Sequence, residues 1–190
     1  LFGNFDDETV ISTGFQANGR TLKFQGATQT IFNAGALGTL SDVSIAQAPG
    51  GKVQLLSPTR ITGQLNLTNA DSLLELNGHS VELDGAITGP GNLKGDPSAS
   101  MIVGNGNPGA LGTINFLSGG RTLSSIQLSR VNGSMTLGTD LTLTGNLILT
   151  DGIFNSGANT LSLSPTSSVL RTNGYVTGNL QKSFGASGNL

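Results

Sequence analysis

The 190-residue sequence has no cysteine and no tryptophan, and its only histidine is His79. The lack of cysteine excludes disulfides, thiol catalysis and thiolate metal sites. Charged residues make up 11% of the chain, and nine basic against eleven acidic residues leave a formal charge of −2. This balance offers no basic surface for nucleic acid or for an anionic membrane. No apolar run approaches the ~18 residues of a membrane-spanning helix, so we expect no nucleic-acid partner and no membrane insertion.

The chain is instead rich in glycine, threonine, serine and asparagine, and its aliphatic residues are regularly spaced. It contains 29 glycines, whereas a disordered chain would carry more charge and fewer Leu, Ile and Val. The length is that of an ordinary single domain. Because the sequence begins at Leu1 without a recognisable signal peptide, we interpret it as a fragment or a processed product of a longer protein.

The clearest pattern lies between residues 139 and 163, where apolar and polar residues alternate. The alternating leucines are Leu141, Leu143, Leu147, Leu149, Leu161 and Leu163. A period of two predicts strands with one buried face. The interruptions, such as Asp151-Gly152, contain residues that accept tight backbone turns.

Short strands separated by tight corners predict a parallel β-helix, that is, a β-solenoid. Each strand can bury its apolar side, and satisfy its backbone groups, only by stacking on the next turn. We expect a right-handed coil of roughly eight or nine turns of ~20 residues, about 40 Å long. The residues predicted to face the interior are Leu65, Leu67, Val81, Leu83, Leu143, Leu147, Leu149, Leu161 and Leu163.

An internal repeat supports this interpretation. At an offset of roughly 80 residues, Thr39-Leu40 aligns with Thr122-Leu123, and self-similarity at a fixed offset indicates a repeat architecture. Further along the chain the offset shortens slightly, in two steps. Such changes in the offset are best explained by corners of different length. An extra residue within a strand would turn every following side chain to the wrong face. We therefore predict a cap or lead-in over 1–20, a solenoid over 21–184 made of two diverged copies (about 21–103 and 104–184), and a tail or linker over 185–190.

The segment from Thr21 to Asn92, including GGKVQLLSPTRITGQLNLTNADSLLELNGHSVELDGAITGPGN, resembles the β-solenoid repeats of very large cell-surface and secreted proteins of Bacteroidetes. The second copy, GRTLSSIQLSRVNGSMTLGTDLTLTGNLILTDGIFNSGANTLSL, is similar to the same repeats. Residues Tyr175 to Leu180 resemble the segment that often closes such a block. The resemblance implies a bacterial, extracellular or cell-surface location and an architectural role.

We accordingly expect a structural, non-catalytic segment of a surface adhesin, stalk or filament, with no cofactor and no metal. The expected partners are neighbouring modules or further copies stacked end to end. One alternative is a carbohydrate-binding or ice-binding module that uses an exposed Thr/Asn face, such as Thr142 and Thr144. The other is an enzyme resembling the β-helical polysaccharide lyases, which would need a basic residue beside clustered carboxylates.

Few residues are candidates for such chemistry. We interpret His79 as part of an Asn-Gly turn, with Glu82 as its nearest conceivable partner, and the acidic run Asp6-Asp7-Glu8 as a solvated cap rather than a calcium site. The basic residues are expected to be isolated surface charges that hinder aggregation. These are Lys52, Arg60, Lys94, Arg121, Arg130 and Arg171.

Three positions match modification signals. Asn66-Leu67-Thr68 and Asn132-Gly133-Ser134 fit the N-glycosylation pattern. Asp71-Ser72-Leu73 resembles the O-glycosylation signal of Bacteroidetes. The candidate acceptors are therefore Asn66, Asn132 and Ser72, although a simple corner before a strand is the stronger explanation of Ser72.

Overall fold

The computed structural model describes residues 5–7, 21–33, 39–104 and 108–185. Every regular element in these ranges is a β-strand, and the strands stack in parallel as a β-solenoid of about seven turns. The predicted all-β, parallel solenoid is confirmed; its handedness stays a prediction. No helix in the described ranges has the length and apolarity needed to cross a membrane.

The strands are short, except where one continues around a corner of the coil. They are β1 (Phe5–Asp7), β2 (Thr21–Gly26), β3 (Gln29–Asn33), β4 (Thr39–Leu40), β5 (Asp42–Gln47), β6 (Val53–Leu55), β7 (Thr59–Ile61), β8 (Leu65–Leu67), β9 (Leu73–Glu75), β10 (Ser80–Leu83), β11 (Ile87–Thr88), β12 (Asn92–Lys94), β13 (Ser100–Val103), β14 (Ala110–Ile114), β15 (Thr122–Leu123), β16 (Ser125–Leu137), β17 (Leu141–Leu143), β18 (Leu147–Leu163), β19 (Val169–Arg171) and β20 (Tyr175–Lys182).

Successive turns add strands to three sheets. The first has the order β1-β3-β6-β9-β12 and the second the order β11-β8-β5-β2. The third runs β15-β17-β18-β16-β13-β10-β7-β4 and also pairs with β14, β19 and β20. It is the largest because β16 and β18 bend around corners and so pair on more than one side of the coil.

One interior row shows the length of a turn. Its buried members are Leu40, Ile61, Leu83, Val103, Leu128 and Leu149, and the exposed Arg171 follows them in the last described turn. Successive members lie roughly 20 to 25 residues apart along the chain, as expected for one repeat of a solenoid. The described ranges form about seven turns instead of the predicted eight or nine, because most of these turns are longer than the ~20 residues that the prediction assumed.

The core is a continuous stack of aliphatic side chains. All nine residues predicted to face the interior are at most 2% exposed, which confirms the predicted alternation. The stack also contains the aromatic rings of Phe24, Phe116 and Phe154, each completely or almost completely buried. Each turn therefore covers the apolar row of its neighbours, and no single turn has a core of its own.

The long internal repeat does not correspond to a whole number of turns. Leu40 belongs to the row that continues through Ile61, whereas the aligned Leu123 belongs to a row that continues through Leu143 and Leu163. The offset thus relates strands on different sides of the coil. It is visible in the sequence because strands on each side share a buried-outward-buried pattern. The division into two copies stays a prediction.

Glycines at one corner allow consecutive turns to approach closely. A Cβ added to Gly85 would overlap the carbonyl oxygen of Gly63 in the preceding turn, and one added to Gly152 would lie 2.6 Å from the carbonyl oxygen of Arg130. A side chain at these positions would push the turns apart.

Candidate functional site

Ser72, the candidate O-glycosylation acceptor, lies inside the fold. Its side chain is completely buried, and its hydroxyl donates to the carbonyl oxygen of Ile45 at 2.7 Å. It also lies 3.0 Å from the amide oxygen of Asn69. The folded chain therefore exposes no acceptor at Ser72, and modification there would have to precede folding.

The two candidate N-glycosylation acceptors lie on the outside. Asn66 is half-buried in β8, between Ser44 and Thr88 of the adjacent turns. Asn132 is exposed at a corner within β16 and has a positive φ of 53°, which asparagine tolerates better than most residues. Both positions are accessible in the folded chain, and their modification stays a prediction.

His79 is part of the Asn-Gly turn that the sequence indicated. Asn77 and Gly78 both have positive φ, and the His79 backbone N–H donates to the Leu76 carbonyl oxygen at 2.9 Å. Its imidazole makes no hydrogen bond or ion pair with any residue in the described ranges, and Glu82 is instead paired with Arg60. A catalytic base normally needs a partner that orients it.

Glu75 is held between two lysines from the turns on either side. Lys52 Nζ lies 2.7 Å from Glu75 Oε2, the amide of Gln54 donates to the same oxygen at 2.7 Å, and Lys94 bonds the other oxygen. Burial of the carboxylate raises its pKa, but the hydrogen bonds from Lys52, Lys94 and Gln54 outweigh burial and lower it to about 2. Glu75 therefore stays ionised and fixes three turns in register.

A second charged cluster lies on the neighbouring side of the coil. Arg60 bonds Asp84 at 2.6 Å and lies 3.3 Å from Glu82. Burial raises the pKa of Glu82, Arg60 opposes that rise, and the nearby Asp84 adds to it. The two carboxylates share one guanidinium, which leaves no free basic group beside them in this cluster.

Arg130 is an interior residue, with 3% of its surface exposed. Its guanidinium donates to three backbone carbonyl oxygens, at 2.9 Å to Asp84, 3.2 Å to Gly85 and 2.6 Å to Gly109. Burial lowers the pKa of Arg130 and the charge of Asp84 opposes that change. Because arginine remains protonated in proteins, the side chain acts as a fixed donor that ties three turns together.

The prediction that the basic residues are isolated surface charges was therefore wrong for four of them. Lys52 and Lys94 share Glu75, Arg60 bonds Asp84, and Arg130 is buried. The sequence concealed these contacts because the partners lie about one turn, or two, apart along the chain. A spacing of 19 to 24 residues between a basic and an acidic residue was the usable signal.

Asparagines at the corners also act between turns. The side-chain amides of Asn69, Asn77 and Asn159 each donate to a backbone carbonyl 22 residues earlier. An alternative role for asparagine in such folds is an amide ladder inside the coil, but at these three corners the bonding is from amide to backbone. Thr144, one of the two candidate ice-binding threonines, likewise directs its hydroxyl to the Leu123 carbonyl oxygen.

The last described turn combines apolar and cationic side chains. Five of the large apolar residues that the described ranges expose lie here: Val169, Leu170, Tyr175, Leu180 and Phe184. Two rows that are apolar in earlier turns end in a cation in this turn, because Arg171 follows Leu149 and Lys182 follows Leu163. Lys182 Nζ donates to the carbonyl oxygens of Ser164 and Ser167, both at 2.6 Å. Cations at these two row positions disfavour the stacking of a further apolar turn on this end of the coil.

Among the described residues, no three His, Cys, Asp or Glu side chains converge as metal ligands would. The side chains of the acidic run Asp6-Asp7-Glu8, and residues 105–107, lie outside the description. Comparisons with protein-family models, with curated proteins and with solved structures gave no match.

Proposed function

We propose that this chain is a structural β-solenoid segment of a bacterial extracellular surface protein, serving as a stalk or filament rod. The observation that carries the proposal is the interior apolar stack, which extends through the coil of about seven turns up to the last described turn. Parallel backbone pairing and buried side chains between every pair of turns give such a coil stiffness along its axis.

The contacts between turns support a mechanical role. Glu75 joins three turns, Arg130 joins three turns, and the corner asparagines join adjacent pairs. These ionic and amide groups therefore hold the register between turns. The resemblance to Bacteroidetes surface repeats adds the extracellular location to the proposal.

The last described turn is where a rod would meet its neighbour. Leu180 and Phe184 are 44% and 71% exposed, and Arg171 and Lys182 belong to the same turn. A module that covers this turn has to bring apolar side chains, and acidic groups on it would complement the two cations. We therefore favour contact with a neighbouring module of different sequence over stacking of identical copies.

Electron microscopy of the purified chain across a concentration series tests the proposal. Short rods of uniform length at every concentration are the expected result, and they identify a spacer within a longer protein. Fibres that lengthen with concentration would instead identify a filament subunit. Globular or irregular particles would contradict the structural role altogether.

A pair of variants tests the surface involved. Leu180→Ser combined with Phe184→Ser removes the exposed apolar side chains of the last described turn, and Leu56→Ser removes a comparable side chain elsewhere. Any end-to-end association should be lost in the double variant and kept in Leu56→Ser. Equal loss in both would assign the association to non-specific contacts.

A further inference from the structure

The outer surface near the last described turn contains a depression of about 270 Å³ that the structural role does not use. Its side chains come from three consecutive turns: Asn132 from the first, Asp151 and Ile153 from the second, and Asn173 and Tyr175 from the third. Ligand pockets for drug-sized molecules span ~300–1,000 Å³, so this one suits a single small ring.

The floor of the depression is backbone, because a glycine follows Asn132, Asp151 and Asn173. Gly133, Gly152 and Gly174 occupy the corner in successive turns, and each approaches the backbone of the turn before it. The absence of Cβ atoms at these positions lets each turn pack directly on the turn before it, so the floor of the depression carries no side chain at these glycines.

Tyr175 provides an aromatic surface at one side. It follows Ser134 and Ile153 in an outward row of the sheet, so its ring lies beside the Ile153 side chain. It is 45% exposed, whereas the rings of Phe24, Phe116 and Phe154 are buried in the core. Exposed tyrosine with a polar tip is typical of binding surfaces.

The polar groups opposite have unused hydrogen-bonding capacity. Asp151 accepts one bond, from the backbone N–H of Gly152 at 3.0 Å. The amides of Asn132 and Asn173 and the hydroxyl of Tyr175 make no hydrogen bond with any side chain or backbone group of the described residues. An amide both donates and accepts, and a carboxylate accepts, which together match the hydroxyl groups of a sugar ring.

The charge of the depression selects among sugars. Of the described residues that line it, Asp151 is the only charged one. Two arginines lie close by. The guanidinium of Arg130 is committed to three carbonyl oxygens, and Nε of Arg171 donates to the carbonyl oxygen of Gly174 at 2.8 Å. A uronate or a sulfated sugar would therefore face a carboxylate with no cation among the described lining residues.

We infer that this depression is a binding site for a neutral saccharide, with Tyr175 stacking on one face of the ring and Asn132, Asp151 and Asn173 bonding its hydroxyls. The same corner in an earlier turn does not repeat the arrangement, because Asp84 is bonded to Arg60 and is followed by Gly85 and Ala86 rather than by an aromatic residue. The inference is independent of the stalk function, since the residues involved face outward.

Intrinsic fluorescence gives a direct test, because Tyr175 is the only tyrosine and the chain has no tryptophan. Methyl α-mannoside, methyl β-galactoside and N-acetylglucosamine are titrated from micromolar to tens of millimolar, with glucuronate and calcium chloride as charged competitors. An array of neutral and acidic oligosaccharides widens the search. We expect at least one neutral sugar to change the emission saturably, with saturation-transfer NMR signals from its ring protons.

Variants locate the binding. Tyr175→Ala and Asn173→Ala should each weaken the affinity roughly tenfold or more, as the loss of a stacking contact or of a hydrogen bond in a small site predicts. Tyr175→Phe should keep the NMR signal, and Asn66→Ala, an asparagine on the outer surface of earlier turns, should bind as the unmodified chain does. Circular dichroism melting checks that each variant folds. If Tyr175→Ala does not fold, Asn173→Ala and Tyr175→Phe carry the test.

Several results would overturn the inference. One is that no neutral sugar binds in the titrations or on the array. Another is that glucuronate or calcium binds in preference to neutral sugars, which would make the depression a site of different chemistry. Binding that Tyr175→Ala and Asn173→Ala leave unchanged would place the sugar elsewhere.

Discussion

Lowering the pH should remove the stabilisation that Glu75 contributes between its two lysines. Its pKa is about 2 in the folded chain against a usual 4.5. At 1.36 kcal/mol per unit, this difference corresponds to about 3 kcal/mol. Solvent screening of Lys94, whose side chain is 37% exposed, reduces the value to roughly 2 kcal/mol. A lowered carboxylate pKa means that the contribution is complete above pH 4.5 and is lost as the pH falls toward 2.

The test compares the unmodified chain with Glu75→Gln. Urea unfolding, followed by circular dichroism at a series of pH values from 7 to 2, gives the free energy of unfolding of each. The variant should be less stable at pH 7, and the two free energies of unfolding should converge near pH 2. Glu82→Gln is the matched control, because burial raises the pKa of Glu82 and its ionisation therefore opposes folding as the pH rises. That variant should lose no stability at neutral pH. If the Glu75→Gln curve stayed parallel to the unmodified curve down to pH 2, the lysine contacts would not contribute to stability.

Three further changes test the contacts within the coil, each by urea or thermal unfolding. Leu147→Asp places an unpaired charge in the core and should lower the free energy of unfolding by more than about 4 kcal/mol, whereas Ile148→Asp on the outer face should lower it much less. Unchanged melting of Leu147→Asp would contradict the assigned face. Arg130→Leu leaves three carbonyl oxygens without their donor and should cost about 3 kcal/mol, with a loss below about 1 kcal/mol arguing that water replaces the guanidinium. Gly85→Ala should lower the free energy of unfolding by about 2 kcal/mol, because its methyl group meets a carbonyl of the turn before, while Gly185→Ala, with open space around it, should be neutral. Equal effects of the two variants would mean that the corner is not closely packed.

The interior of the solenoid was predictable because it depends on a local pattern. Alternation of leucine with polar residues fixes which side of a strand is buried, and every residue assigned inward from that pattern is buried. The number of turns was harder to predict from the sequence. Corners vary in length, and the step from Val103 to Leu128 is the longest in its row.

Contacts between turns could not be predicted from the sequence without knowing the register. Glu75 meets Lys52 and Lys94 only because β6, β9 and β12 are adjacent. The depression beside Tyr175 depends on register in the same way, since its polar residues come from three turns. Ser72 is buried where its hydroxyl bonds the carbonyl oxygen of Ile45, 27 residues earlier, and a three-residue modification signal does not reveal that contact.

The three bonds of Arg130 have a consequence for a coil under tension. A solenoid pulled from its ends is expected to unwind turn by turn, releasing about one repeat of chain at each step. Arg130 joins its own turn to the two before it, including the turn with the longest corner. Those three turns should resist being pulled apart and then unfold together. A single-molecule pulling trace should therefore contain one long extension among shorter ones.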